Sequence, residues 1–323
     1  MKPLPDALVT VIVPGRDVAE FAPEAIASLQ AQTFAAWRAI LVDDGSIDAT
    51  SAQFADAAAS DPRFTVIRHE TPRGLGAARN AGLDLVTTPL VGFLDADDVM
   101  TPRALELLVT ALTDSGSDIA VGAYVRLRPD GRGGYEAGAV QPWVSAATAP
   151  ARRGTTLAEH PEVSGNIVVW SKLTRVEIWR RAGLRFPEGA LYEDQVVAQQ
   201  LYVHARAIDV IPDVVVHWRE RADGSSITQR KDVLRVLADY LDAMRGGIAV
   251  LDAAGQRAAA RARIRLILEM DTPALVRIAE HHPDAAYRRA VGEFVREVGA
   301  RADLEAVALD PEGADLRTAA ALW

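Results

Sequence analysis

Two acidic clusters in this chain stand at the ends of apolar runs: Asp95 and Asp97 form a D-A-D after LVGFL, and Asp43 and Asp44 follow AILV. Two carboxylates separated by one small residue can face a single pocket and hold a hard divalent cation. Mg²⁺ and Mn²⁺ prefer carboxylate and phosphate oxygens and usually keep waters in their shell. A cation held there would neutralise the charge that develops on a diphosphate leaving group. Ala96 is small enough to leave room for a nucleotide beside it. The competing account is that each cluster merely caps the helix after it. That account weakens when both clusters end strands of one sheet.

The elements around these acids support a shared sheet. Val9 to Pro14 (VTVIVP), Ala39 to Val42, Phe64 to Arg68 and Leu90 to Leu94 are short apolar runs of the kind buried on both faces. Helical patterns separate them: Pro23 to Gln32, Asp48 to Ser60 and Gly74 to Leu85. Such alternation predicts an α/β fold, with a mostly parallel sheet and helices on both faces. Ligands of such sheets bind outside the carboxyl ends of the strands, where the acids stand. Farther on, a helix is expected to Asp114, strands at Ile119 to Leu127 and from Tyr135, and a long loop over 141–165. Helical pattern resumes near Lys172 and over Glu193 to Val203, and a strand follows from Ala207 to Val216.

After about Gln229 no strand candidate remains. Asp232 to Leu251, Arg257 to Met270, Thr272 to His281 and Ala285 to Val298 carry apolar residues at helical spacing. The expected division is an α/β domain over 1–229 and an all-helical domain over 230–323. Such helices can pack on the core or on another subunit, so a homo-oligomer is one expectation.

Composition narrows the chemistry. A net charge of −9 disfavours a partner made of nucleic acid. The absence of cysteine removes disulfides, thiolate nucleophiles and cysteine-bound zinc, and suits a reducing compartment. MKPLPDALVTVIVPGRD lacks the pattern of a signal peptide, and no run has the length of a membrane span. The expectation is a cytoplasmic protein, with peripheral membrane association left open. R-G-L-G-A-A-R-N-A-G lacks the third glycine of a dinucleotide fingerprint and follows the third strand rather than the first. Its glycines read as permission for a tight start to a helix.

Six blocks now stand in order: VTVIVP at Val9, LVDDGSIDAT at Leu41, RGLGAARNAGL at Arg73, LVGFLDADD at Leu90, WSKLTRVEIWRRAGLRFPEGALYEDQ at Trp170 and HWRERADGSSIT at His217. Together they resemble family 2 glycosyltransferases over about residues 8 to 229. The resemblance implies a GT-A fold, an NDP-sugar donor, Mg²⁺ or Mn²⁺, and inversion at the sugar carbon. It places Pro14 and Asp17 beside base and ribose, Asp43 and Asp44 on the base edge, and Arg73, Arg79 and Asn80 near the nucleotide. Asp95 would touch the ribose or a metal-bound water, and Asp97 would ligate the metal, with His217 as a further ligand. Glu193 and Asp194 match the family's acidic pair at a helix start, with Asp194 as the catalytic base. The null for that pair is that acids favour any helix N-terminus. Arg219, Arg221, Ser225 and Ser226 would form a polar loop over the diphosphate, or a merely solvated one.

The resemblance also implies a UDP-sugar donor and a glycan, glycopolymer or small-molecule acceptor. The segment after Asp194 reads QVVAQQLYVHA and lacks the Q-x-x-R-W of processive relatives, so transfer of single sugars is expected. The layout is similar to that of bacterial enzymes that glycosylate wall teichoic acid, which suggests poly(ribitol phosphate) or a related surface polymer. Two rivals stand beside this reading. A sugar-phosphate nucleotidyltransferase would show G-x-G-x-R after the first strand, where this chain has PGRDVAEF. An inactive nucleotide-sugar-binding protein would have no need of both Asp97 and Asp194.

Overall fold

The structure is a computed structural model that describes residues 6–224, 230–302 and 318–323. Apolar runs form β1 (Val9–Gly15), β2 (Trp37–Asp43), β3 (Phe64–Arg68) and β4 (Leu90–Phe93). Between them run α1 (Ala22–Gln30), α2 (Thr50–Ser60) and α3 (Leu75–Asp84). β1 pairs in parallel with β2 and β4, and β2 with β3, so all four end at one edge.

The chain continues through β5 (Val99–Met100), α4 (Ala104–Ser115), β6 (Ile119–Pro129) and β7 (Tyr135–Ala137). Then come α5 (Pro142–Thr148), β8 (Arg152–Thr155), a 3₁₀ turn (Pro161–Gly165), β9 (Lys172–Arg175) and α6 (Val176–Ala182). α7 (Asp194–His204) and β10 (Ile208–Arg219) close this part. The described strands lie in one sheet, in the order β3-β2-β1-β4-β9-β6-β10-β5, with β7 on β6 and β8 on β10.

Two expectations are corrected here. The segment 141–165 is not one loop, since it holds α5, β8 and the 3₁₀ turn. The helix expected near Lys172 begins only at Val176, because residues before it complete the sheet as β9. β9 runs antiparallel to both β4 and β6, which makes the sheet mixed at its centre. Pairing with two neighbours outweighs the local helical period. The reversal matters for the site: Gly92 pairs with Leu173, so β9 starts where β4 gives way to Asp95.

The C-terminal part comprises α8 (Leu234–Ala253), α9 (Arg257–Leu266), a π turn (Ile267–Asp271), α10 (Thr272–His281) and α11 (Ala285–Gly299). These helices bury a cluster of their own, including Leu241, Ile267, Leu275, Val291 and Phe294. They are not set apart from the sheet, because Leu251, Ala259 and Ala260 belong to the α/β core. α8 lies along α7, with Gly246 against Val196 and Gly247 against Gln199. Their apolar faces are thus used within the chain.

Candidate active site

The Asp95–Asp98 turn is built tightly off β4. The Asp98 amide donates to the Asp95 carbonyl at 2.9 Å, and the Ala96 amide to the Pro14 carbonyl at 3.2 Å. Ala96 lies against Gly15, where an added β-carbon would come within 2.9 Å of the Ala96 methyl. Its small size therefore serves a backbone crossing. At 2% exposure its methyl is buried in that crossing.

Arg219, expected in a covering loop, is instead the buried last residue of β10. Its amide donates to Asp98 Oδ1 at 2.8 Å, its Nε to the Asp97 carbonyl at 2.7 Å, and its Nη2 to Glu24 Oε2 at 2.5 Å. Rings of Phe21 and Tyr135 flank its guanidinium. Arg219 fixes the acidic turn rather than covering it. Ser225 and Ser226 lie outside the described residues. Arg221 reaches Asp97 Oδ2 with Nε at 2.9 Å and Nη2 at 2.7 Å. His217 is not brought to that pair. It pairs with Val99 of β5 and Val125 of β6, and the charge it meets is that of Glu24 on α1. Burial holds its imidazole below the usual range, with Glu24 opposing.

On the facing wall, Glu193 occupies the position before α7 and Asp194 opens its first turn. Arg79 of α3, 1% exposed, reaches both walls. Its Nη2 donates to Asp95 Oδ1 at 2.6 Å, and its Nη1 makes a short contact with Glu193 Oε1. One buried guanidinium thus ties the tip of β4 to the start of α7. Arg79 is shared between Asp95 and Glu193, and charge of one sign that is buried without a full partner is costly. Burial raises the Glu193 carboxyl, with Arg79 opposing. Burial also pushes Asp194 up to about 6, with Arg79 and Lys172 pulling it down and Asp95 adding to the rise. Among the described residues, no side chain pairs with the Asp194 carboxylate. A free carboxylate raised towards neutrality is suited to take a proton.

The acids of the loops after β1 and β2 differ in how fully they are bonded. The Asp17 amide donates to Ser46 Oγ at 3.1 Å and the Ile47 amide to Asp17 Oδ1 at 2.9 Å, zipping the loops after β1 and β2 together. Pro14 lies within β1, opposite Val42. Asp44 accepts the Arg73 and Gly74 amides at 2.9 and 2.8 Å and contacts His69 Nδ1 at 2.6 Å. It clamps the loop before α3, where Gly74 takes φ +93, a conformation natural only to glycine. Asp43 accepts the Ser46 amide through Oδ1. Its Oδ2 is buried without a hydrogen bond, 3.3 Å from Arg68 Nε. The Asn80 carboxamide brackets Phe186, donating to the carbonyl and accepting from the amide, both at 2.9 Å. Arg73 meets Glu188 at 3.2 Å. α3 therefore anchors the segment that leads to Glu193.

Residues 10–167 match the family model Glycosyl transferase family 2. The chain carries a family 2 glycosyltransferase domain. Over 240 residues it is 27% identical to Glycosyltransferase GlyA of Streptococcus pneumoniae, an overlap of 74% of this chain and 34% of that protein. The chain thus spans about a third of that relative's length. Residues 1–349 of S. aureus TarS, solved in complex with UDP-GlcNAc, superpose with a TM-score of 0.70 at 20% identity, covering 91% of this chain and 83% of that one. Mannosyltransferase PcManGT from Pyrobaculum calidifontis, in complex with GDP-Man and Mn²⁺, gives a TM-score of 0.56 at 19% identity, covering 98% and 80%. At these identities the likeness is one of fold, and the fold is the GT-A arrangement that the sequence motifs imply. The matched span holds the acids of the donor wall and stops short of Glu193 and Asp194.

The donor set of the family 2 domain fits a divalent cation. Among the described residues no three His, Asp or Glu side chains form a complete cage. Mg²⁺ and Mn²⁺ need none, since one or two carboxylates with phosphate oxygens and water suffice. Asp97 and Asp95 would supply the carboxylates, with Asp97 giving up its bonds from Arg221, and Asp98 Oδ2 lies buried and unbonded behind them. Burial and mutual repulsion raise Asp98 well above its ordinary range, and burial raises Asp95 although Arg79 opposes it.

Sequence reasoning passed over Lys172 and the aromatic wall near it. Lys172 is buried and donates to Asn166 O and Oδ1 at 2.9 and 2.6 Å and to Val168 O. Burial drives its ammonium well below the usual range, with Asp194 opposing. Tyr124 meets Trp170 edge-on at 4.8 Å, and Trp170 stacks with Trp218 at 6.4 Å. A lone lysine inside an apolar strand was the available signal.

Proposed function

We propose that this chain is an inverting, cation-dependent glycosyltransferase that moves one sugar from a UDP-sugar to an acceptor hydroxyl. The observation that carries this reading is the Arg79 bridge, which ties Asp95 at the end of β4 to Glu193, next to the unpaired Asp194. Asp97 would hold Mg²⁺ or Mn²⁺ directly and Asp95 through water. Such an ion, when bound, neutralises the diphosphate. Asp194 takes the acceptor's hydroxyl proton while the oxygen lone pair forms the new bond to the anomeric carbon. The bond to the diphosphate breaks on the opposite side, and its electrons leave with UDP.

UDP is favoured over other carriers because TarS was solved with UDP-GlcNAc, and because the family resemblance puts Asp43 and Asp44 on the base edge. UDP-GlcNAc and UDP-glucose are the candidate donors. The proposed acceptor is a glycan or a surface polymer such as poly(ribitol phosphate), reached from the cytoplasm. No described helix is long and apolar enough to cross a membrane. A thermal-shift screen of UDP-GlcNAc, UDP-glucose and GDP-mannose with Mn²⁺ tests the donor, since bound ligand raises stability by mass action. Stabilisation by a UDP-sugar, with UDP release, is the expected result. Pyrophosphate release from a nucleoside triphosphate and a sugar 1-phosphate would replace this reading with nucleotidyl transfer.

A further inference from the structure

The residues on either side of Glu193 and Asp194 are held from the C-terminal helices. On the N-terminal side, the Leu191 amide donates to Asp239 Oδ2 of α8 at 3.2 Å. Tyr192 packs its ring on Tyr240 of α8 at 4.5 Å between centroids. On the C-terminal side, Arg263 of α9 donates to Gln195 Oε1 at 3.2 Å. The two holds are linked: Tyr240 donates its hydroxyl to Asp271 Oδ1 at 2.5 Å, and Asp271 lies 3.6 Å from Arg263. Between them Tyr192 takes φ 57, a left-handed conformation that a bulky residue keeps only when its surroundings impose it.

We infer that the C-terminal helices are part of the catalytic apparatus: Asp239, Tyr240, Arg263 and Asp271 are positioning residues that hold Tyr192 left-handed and so aim Asp194 across the cleft. The inference rests on the reading of Asp194 as base. Packing against the Tyr240 ring opposes the relaxation of Tyr192 to negative φ. That relaxation would rotate the peptide leading into Glu193 and carry Asp194 off its line. Displacement of a reacting group by about 1 Å costs on the order of 100-fold in rate. Donor affinity, set by the β1, β2 and β4 ends, stays as it was.

The test uses the full chain with UDP-GlcNAc and Mn²⁺, reading UDP release to water and donor affinity by calorimetry. Tyr240→Ala should lower kcat roughly 10- to 100-fold with donor Kd unchanged. Asparagine accepts the left-handed region, so in a Tyr192→Asn background the same substitution should cost far less. Tyr240→Phe keeps the ring and loses only the bond to Asp271, and should show a smaller loss of kcat in a chain that folds normally. Wild-type kcat in Tyr240→Ala, beside an inactive Asp194→Ala, would overturn the inference and leave the base standing. An equal fall of kcat in both backgrounds would also overturn it. Full activity in Asp194→Ala would remove the base reading itself.

Discussion

Buried acids stand at both edges of the sheet, and the two edges treat them in opposite ways. At the amino edge, Asp118 precedes β6 and accepts the Arg206 amide, Nε and Nη2 at 2.9, 3.0 and 2.7 Å. Asp209 near the start of β10 accepts from Ser115, Ser117 and the Gly154 amide. Burial alone would raise Asp118, but the bonds from Arg206 outweigh it and hold its carboxyl low. At the carboxyl edge, Asp95, Asp98, Glu193 and Asp194 are all raised, because burial there is met by too few donors. Burial is common to both edges; incomplete satisfaction belongs to one. Unmet hydrogen bonding is what marks an acid as available for chemistry.

The largest effect should come from Asp194→Ala. Loss of a positioned base predicts a fall in kcat of about 10²- to 10⁴-fold, with UDP-GlcNAc binding by calorimetry nearly unchanged. Asp97→Ala should weaken donor binding in Mn²⁺. Loss of one charge-assisted contact, about 1.5–3 kcal/mol, corresponds to roughly 10- to 100-fold in affinity. Chelation by EDTA should reproduce that loss in the wild-type chain. The pH profile separates the edges next. Asp194 works as a base only when ionised, and its carboxyl is raised to about 6. The rate should therefore level off above neutrality and fall about tenfold for each unit below 6. Asp118 is held low, so its stabilising charge is present throughout that window and is lost only as pH falls through its depressed range. Circular dichroism should show an intact fold while the rate declines. Asp118→Asn should have the smallest effect on turnover, with kcat unchanged and stability in urea lower by about 1.5–3 kcal/mol. A rate loss in Asp118→Asn without unfolding would break the contrast between the edges.

Much of the donor half was legible in the sequence. Apolar runs ending in paired acids at Asp43 and Asp95 declare strands and their ligand edge, since a strand buried on both faces has a sharp start and stop. The partners of those acids were not legible. Asp44 and Asn80 look equally suited to a nucleotide until backbone amides from Arg73, Gly74 and Phe186 are brought to them by the fold. His217 and Arg219 share one face of β10 by strand alternation, yet Arg219 reaches Asp97 while His217 meets Glu24, a difference of reach that neither periodicity nor composition gives. β9 was misread because its pairing partners lie far along the chain. The C-terminal helices were recognised by period, but their docking on α7 depends on surface shape.

The reversed direction of β9 has a consequence for how such a protein can diversify. The chain leaves the cleft along β4's exit, wanders through more than seventy residues, and returns to the same spot from outside, ending at Trp170 and Lys172. Between β6 and β9 that excursion is tethered at both ends by the sheet, so the length and composition of that stretch can drift without shifting the register of β1 to β4. New surface can therefore arise in that stretch, while the strand ends that hold the acids stay as they are.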